Sequence, residues 1–183
     1  HAYILLGPET GLKEDFINEL KKQIGPCDIS KFYAFDDYEG ELYAQLNNCD
    51  LFADHKLVIL DEAQEIKTKD KIKLIADYVA NPTDFATLII LSTELYIASE
   101  IMDAAQNPKE QIRKFYELFD SDKIKWLNNY FTRNNFAIDQ RACNAIIEKV
   151  DNNLKEFENT CIDDLNKNNT FASDFKNQRN KNV

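Results

Sequence analysis

Residues 2–16 have the sequence AYILLGPETGLKEDF, in which a short apolar run meets a glycine turn and then an amphipathic segment. A continuous apolar run of this length is typical of a β-strand that is buried on both faces. Gly7-Pro8 ends the run, Thr10 can cap a helix, and apolar residues then recur at helical spacing as far as Gly25-Pro26. The segment therefore predicts a strand, a turn and a helix.

The same alternation continues through the first half of the chain. The pattern predicts three further strands at residues 29–35, 56–60 and 85–91, with helices at residues 39–48 and 65–79 between them. Strands that alternate with helices imply βαβ units and a mainly parallel sheet. We therefore expect an α/β domain over residues 1–105.

The second half has a different pattern. No strand is predicted after residue 110, and four helices are predicted at residues 111–119, 122–134, 139–150 and 153–165, with Asp139 as the N-cap of the third. We expect a small all-helical lid domain over residues 106–166. Residues 167–183 are rich in Asn and Lys and are expected to form a frayed tail.

The charge of the chain narrows the classes of partner. The 183 residues include 22 basic and 32 acidic side chains, a net charge of −10, and residues 1–93 hold 9 of the basic and 17 of the acidic ones. Strong binding to duplex DNA or to an anionic membrane surface relies on basic patches, so this charge argues against both. The longest apolar runs, residues 57–60 and 88–91, are far shorter than the roughly 20 residues of a membrane-spanning helix.

The cysteines and histidines do not suggest a metal site. No two of the four cysteines have CxxC spacing, and the two histidines lie far apart and close to no cysteine in the sequence. Zinc sites usually show close pairs of such ligands. No metal ligands are therefore predicted.

The turn after the first strand resembles a defective phosphate-binding loop. A working P-loop has the pattern GxxxxGK[ST], in which backbone N–H groups and the lysine hold the phosphates and the hydroxyl holds Mg²⁺. When Gly7 is aligned with the first glycine, Lys13 falls at the lysine position, but Leu12 and Glu14 replace the second glycine and the hydroxyl residue. The additional acidic groups would repel phosphate, so we expect no ATP here.

A second segment resembles the metal-binding strand of a nucleotidase. The apolar residues 57–60 are followed by Asp61 and Glu62, where a working enzyme has an Asp that orders Mg²⁺ and a Glu that polarises water. The alternative is a buried strand followed by an acidic helix start. The sequence thus predicts a degenerate nucleotide site, expected to be empty, at Gly7, Gly11, Lys13, Asp61 and Glu62.

Two further patterns have an ordinary structural explanation. The lysines at positions 67, 69, 71 and 73 spread around a helix, which favours a solvated helix face over a DNA contact. Aromatic residues at positions 115, 119, 126, 130 and 131 have helical spacing, which favours the core of the lid over base stacking.

Taken together, an ordered series of segments carries a family resemblance. The series comprises YILLGPET at residues 3–10, DLFADHKLVIL at residues 50–60, YVANPTDFATLIIL at residues 78–91, Lys114-Phe115 and Trp126-Leu127. Over residues 2–165 the chain resembles the N-terminal part of the DNA polymerase III delta subunits of bacterial sliding-clamp loaders. The most specific segment is Leu51-Phe52 before the strand at residues 56–60.

The resemblance implies a function. It implies an AAA+-like fold with a decayed nucleotide site, no cofactor, and a protein that binds and opens the sliding clamp (the beta subunit) during DNA replication without hydrolysing ATP. In the family a Leu-Phe pair inserts into a hydrophobic pocket of the clamp, which implies this role for Leu51 and Phe52. The polar part of the same clamp-binding segment would be Asn47, Asn48, Cys49 and Asp50.

The resemblance also sets limits. It implies a cytoplasmic protein that reaches DNA only through the complex and that contributes to DNA-directed DNA polymerase activity only within the holoenzyme. Family members have a helical collar domain that joins the other loader subunits, and no segment of this sequence matches it. An active AAA+ ATPase of the same fold remains the alternative, and a DNA- or RNA-binding module is a third class that the charge disfavours.

Overall fold

A computed structural model describes residues 1–49, 55–133, 137–149 and 159–162. The chain forms two compact units. We call the first, His1–Pro8 with Leu12–Tyr116, the sheet unit. The second, Glu9–Gly11 with the described part of Glu117–Val183, is called the helical unit.

The sheet unit is built on five parallel strands. They are β1 (Ala2–Leu6), β2 (Asp28–Tyr33), β3 (Lys56–Asp61), β4 (Ala86–Ser92) and β5 (Ile112–Lys114), and their order across the sheet is β2-β3-β4-β1-β5. The predicted parallel sheet is confirmed. The carboxyl ends of parallel strands share one edge, so the turns after β1, β3 and β4 lie along the same edge of the sheet.

Helices cover both faces of this sheet. They are α1 (Thr10–Ile24), α2 (Glu39–Asn47), α3 (Lys69–Ala80), α4 (Ser99–Asp103) and α5 (Pro108–Gln111). Ile17 and Leu20 of α1 pack with Leu5 and Ile89 on one face. On the other face, residues of α2, α3 and α4 pack with Ile4, Val58, Leu60 and Ile90, among others. Burial on both faces explains the continuous apolar runs of the central strands.

One prediction for this unit was wrong. The sequence predicts a helix over residues 111–119 and no strand, but Ile112–Lys114 form β5, which pairs with Ile4, Leu5 and Leu6 of β1. The backbone N–H of Phe115 also donates to Leu6 O at 2.7 Å. Without β5, β1 would be an edge strand with unpaired backbone groups, so pairing outweighs the local helical pattern.

The helix predicted at residues 65–79 begins later than expected. Residues Ala63–Glu65 form a 3-10 turn, and α3 begins only at Lys69. Glu62 has a left-handed backbone, with φ +58°, which turns the chain sharply after β3. Ile66 then reaches the core from an extended conformation and is buried. Burial of Ile66 therefore displaces the helix start.

Lys71 departs from the predicted solvated lysine face. Its side chain is buried, and its ammonium donates to Ala34 O at 3.2 Å and to Asp36 O at 2.6 Å. The same ammonium lies 4.5 Å from the centre of the Tyr38 ring. Lys71 thus fixes the loop between β2 and α2.

The helical unit contains α6 (Asp120–Arg133) and α7 (Gln140–Lys149), and residues 159–162 are also helical. Helices α6 and α7 pack together, and Leu127, Phe131 and Ile146 are buried. Asp139 Oδ1 accepts a hydrogen bond from Ala142 N at 2.7 Å, as predicted for an N-cap.

The predicted aromatic core of the lid is only partly correct. Trp126 stacks on Tyr130 with 5.1 Å between ring centres, and Phe131 is buried. Phe119 is exposed, and Phe115 packs against the core of the sheet unit.

Among the helices that the structure describes, none is both long and apolar enough to cross a membrane.

Candidate functional site

Gly7 forms the turn after β1 and is held tightly. Its φ of +112° is a conformation that other residues rarely adopt. Its N–H donates to Ser92 O at 3.0 Å and to Glu94 O at 2.9 Å. A Cβ atom at this position would overlap the Phe115 carbonyl, with only 2.9 Å to its carbon, and would lie 3.2 Å from Leu95 Cδ2. Packing of the sheet unit therefore requires a glycine here.

The Lys13 ammonium is committed to the protein backbone. The side chain is 5% exposed, and Nζ donates to Gly7 O at 2.7 Å and to Ser92 O at 3.0 Å. In a working P-loop the lysine neutralises the phosphates of the nucleotide. Here two of the three donors of the corresponding ammonium join the ends of β1 and β4, so a phosphate would compete with these carbonyl groups for the ammonium.

Gly11 belongs to the helical unit, where a side chain occupies its N–H group. Glu9 Oε1 accepts a hydrogen bond from Gly11 N at 3.0 Å, and Glu9 is buried. The backbone N–H groups of a P-loop bind phosphate oxygens. At Gly11 a carboxylate of the same loop takes that place.

The acidic pair after β3 also has partners within the sheet unit. Asp61 Oδ2 lies 2.8 Å from Lys31 Nζ, and this hydrogen bond raises the pKa of Lys31. Asp61 Oδ1 accepts from Glu62 N at 2.9 Å, and Glu62 Oε2 accepts from Gln64 Nε2. The carboxylates therefore stabilise the turn after β3. Among the residues that the structure describes, no group of three His, Cys, Asp or Glu side chains could hold a metal ion.

The structure thus brings together only some of the residues predicted for a nucleotide site. Gly7 and Lys13 share a hydrogen bond, and Asp61 and Glu62 are joined through the Glu62 N–H. The described contacts pair Asp61 with Lys31 rather than with Lys13. Lys13, Asp61 and Glu62 each have a hydrogen-bond partner within the sheet unit.

The predicted clamp-binding segment begins at the carboxyl end of α2. Asn47, Asn48 and Cys49 are exposed, and Asn48 leaves the helix with an extended backbone, φ −102° and ψ 123°. Asn47 Nδ2 donates to Tyr43 O at 3.0 Å. The remaining predicted residues, Asp50, Leu51 and Phe52, lie outside the described residues. Asn47, Asn48 and Cys49 therefore form an exposed surface at the end of α2.

The sequence analysis missed two side chains that contact this helix end. Lys56 Nζ donates to Asn48 O at 2.9 Å, and Thr83 Oγ1 donates to Leu46 O at 3.0 Å. A lysine at the start of the apolar strand KLVIL was a signal that could have identified Lys56. Thr83 follows Asn81-Pro82 in a loop, and its sequence carries no comparable signal.

His55 is the next described residue after Cys49, and it directly precedes β3. His55 Nε2 lies 2.9 Å from Thr87 Oγ1, and His55 O accepts from Asp28 N at 3.1 Å. Burial lowers the pKa of His55, so its neutral form is favoured at the end of the sheet.

Comparison with known proteins gives a consistent result. A model of the family described as DNA polymerase III, delta subunit, matches residues 3–115, which is more than half of the chain. The chain is similar to the DNA clamp loader delta protein of Bacillus subtilis, with 15% sequence identity and a TM-score of 0.59 over 85% of this chain and 50% of that one. A DNA polymerase III gamma subunit-related protein from Thermotoga maritima has 12% identity and a TM-score of 0.44 over 72% of this chain and 48% of its own. A comparison with curated proteins finds no match.

These comparisons bear on the fold and on the extent of the chain. At this identity the likeness to the B. subtilis protein shows the fold alone, and it confirms the predicted α/β fold with a parallel sheet. The chain spans about half the length of that protein.

Proposed function

The chain belongs to the family of DNA polymerase III delta subunits, and from this membership we propose that it binds a sliding clamp and opens it without hydrolysing ATP. On the same basis we propose that it takes part in DNA replication as a clamp-loader component. The proposal concerns which partner it grips, through which residues, and whether nucleotide takes part.

Lys13 is the observation that carries the nucleotide part of the proposal. Its ammonium is buried and donates to two backbone carbonyls of the sheet unit. A charge-assisted hydrogen bond contributes about 1.5–3 kcal/mol, so a phosphate that displaced either carbonyl from the ammonium would have to replace that contribution. Leu12 and Glu14 also stand where a working loop has a glycine and a Mg²⁺-binding hydroxyl.

The contact with the clamp is proposed to centre on Leu51 and Phe52. The family model spans both positions, and Asn47, Asn48 and Cys49 before them are exposed at the end of α2. Burying a Leu and a Phe side chain in a partner's pocket would supply roughly 3–6 kcal/mol of gross hydrophobic energy. An apolar anchor with a polar surround is the usual arrangement of an interface hot spot. Asp50 would complete the polar surround.

Clamp opening follows from differential binding. A protein shifts an equilibrium between a closed and an opened ring only by the difference of its affinities for the two forms. We propose that the chain binds the distorted clamp interface more tightly than the closed one. The net charge of −10, which lies mostly in residues 1–93, would favour a basic partner surface over an acidic one.

The remaining partners are proposed on the same basis. Assembly with other clamp-loader subunits would use parts of family members beyond this sequence, because the chain spans about half of the B. subtilis protein. DNA would be reached only through that complex, in the cytoplasm. Polymerase activity would belong to the holoenzyme.

Surface plasmon resonance with the immobilised cognate clamp tests the proposal. The double change Leu51→Ala with Phe52→Ala should abolish binding while the thermal unfolding midpoint stays close to that of the wild type. The matched control is Ile29→Ala with Phe35→Ala, which removes two exposed apolar side chains elsewhere in the sheet unit. Equal clamp binding by the wild type and the Leu51/Phe52 variant would refute the proposed contact.

Calorimetric titration separates this proposal from an ATPase of the same fold. With ATP and Mg²⁺ we expect no binding heat from the wild-type chain. A micromolar site, lost on Lys13→Met, would instead support the ATPase. A gel shift at moderate salt tests the third class, and we expect no shift with duplex or single-stranded DNA because of the acidic net charge.

A further inference from the structure

Two side chains from outside α2 hold its carboxyl-terminal end. The Lys56 ammonium donates to Asn48 O at 2.9 Å, and the Thr83 hydroxyl donates to Leu46 O at 3.0 Å. The last carbonyl groups of a helix have no partner within the helix, so their direction depends on groups supplied from elsewhere. Here those groups come from the start of β3 and from the loop between α3 and β4.

Lys56 is buried, which is unusual for a lysine. Lys56 is 7% exposed and begins β3, whose next four residues are fully or almost fully buried aliphatic side chains. An ammonium loses hydration in this position, and an apolar residue would pack at least as well. What the lysine adds is a charged donor for Asn48 O at the negative end of the α2 dipole.

Thr83 is held in place by the core of the sheet unit. The buried Tyr78 of α3 places its hydroxyl 3.2 Å from Thr83 Oγ1 and 2.9 Å from Ala86 O. Thr83 gives its single proton to Leu46 O, so the hydrogen bond between the two hydroxyls needs the Tyr78 proton, which Thr83 Oγ1 shares with Ala86 O. The helix end is therefore linked to α3 and β4.

We propose that Lys56 and Thr83 are positioning residues for clamp binding. They hold Asn47, Asn48 and Cys49 in the backbone conformation that binds the clamp. The inference rests on the proposed function. A binding segment that is already held in its bound conformation loses less freedom when the partner binds, so its affinity is higher. The exposed side chains of these three residues leave the segment accessible while its backbone is anchored.

The first test measures clamp affinity in the intact chain. Lys56→Met removes the ammonium but keeps an unbranched side chain that is one atom shorter, and Thr83→Val removes the hydroxyl but keeps the shape. Each change should weaken clamp binding about tenfold, which corresponds to about 1.4 kcal/mol. Lys56→Arg and Thr83→Ser retain a donor and should restore affinity to within about twofold.

The second test follows the helix end directly. The Asn48 amide donates to Ala44 O at 3.0 Å, so its hydrogen exchange reports whether the last turn of α2 is formed. Both variants should exchange this amide about tenfold faster, with the Leu88 and Ile90 amides of β4 unchanged. Lys67→Met, at an exposed lysine, is the matched control and should change neither reading.

The outcomes separate the inference from the proposed function. If the wild-type chain binds the clamp and both folded variants bind equally well, the positioning role is overturned while clamp binding stands. Unchanged exchange at Asn48 in both variants overturns it as well. If the wild-type chain does not bind the clamp, the proposed function fails and the inference fails with it. Should Lys56→Met not fold, Thr83→Val alone decides.

Discussion

The three glycines with described surroundings give a graded test of the fold. Gly7 has φ +112° and a Cβ atom there would overlap the Phe115 carbonyl, whereas Gly25 has φ +83° and no atom within 4 Å of a built Cβ. Gly40 lies in α2 without a positive φ and also has open space around it. Replacing each by alanine therefore separates steric overlap, backbone strain and chain entropy.

The expected magnitudes differ in size and in sign. Gly40→Ala should stabilise the protein by about 0.5–1 kcal/mol, because alanine loses less freedom in a helix. Gly25→Ala should cost about 1–2 kcal/mol, the usual penalty of a left-handed backbone. Gly7→Ala adds overpacking, about 1–3 kcal/mol, to backbone strain of similar size, so we expect a loss of about 4 kcal/mol.

Urea unfolding followed by far-ultraviolet circular dichroism measures these differences, provided that the slope of the transition is the same for all variants. The reasoning would be refuted if Gly7→Ala cost no more stability than Gly25→Ala. The overlap with the Phe115 carbonyl would then add no free-energy cost. ATP and Mg²⁺ should shift none of the transitions.

The remaining predictions concern three buried polar side chains of the sheet unit, those of Lys13, Tyr38 and Tyr78. Lys13→Met should lower the free energy of unfolding by about 3–6 kcal/mol, because Gly7 O and Ser92 O each lose a charge-assisted hydrogen bond worth about 1.5–3 kcal/mol. A wild-type stability in the same urea assay would contradict this. The Tyr38 hydroxyl is buried and has no hydrogen-bond partner among the described residues, so the stability of Tyr38→Phe should stay within about 1 kcal/mol of the wild type at neutral pH. Tyr78→Phe should cost about 1–2 kcal/mol, because the Tyr78 hydroxyl donates to Ala86 O. Burial raises the pKa of Tyr38 from 10.0 to about 12, so the stability that this shift contributes is complete below pH 10 and is lost as the pH rises towards 12. Over that range the urea midpoint should fall less for Tyr38→Phe than for the wild type. An equal fall would count against Tyr38 as the cause.

The central part of the fold follows from local patterns in the sequence. The runs at Ala2–Leu6 and Ala86–Ser92 are almost wholly apolar because both faces of these strands are covered, and burial on this scale dominates other preferences. Strand β5 could not be found in this way. Ile112–Lys114 contains one apolar residue, and its structure comes from the hydrogen bonds that β1 offers.

The candidate site shows the same division. The replacement of the P-loop residues by Leu12 and Glu14 is visible in the sequence, but the partners of Lys13 are backbone carbonyls from two strands, which no residue pattern reveals. Lys56 and Lys71 illustrate the point from the other side. Lysines are usually exposed, and only the folded structure shows which carbonyl groups accept hydrogen bonds from these two buried side chains.

The hydrogen bond from Gly11 N to the Glu9 carboxylate has a consequence for how the protein responds to its surroundings. A nucleotide is exchanged when ATP and ADP levels change, whereas an anion that is part of the chain cannot leave. Under our proposal that no nucleotide binds here, the turn after β1 would keep one state whatever the energy charge of the cell. Timing in a complex that contains this protein would then have to come from another component.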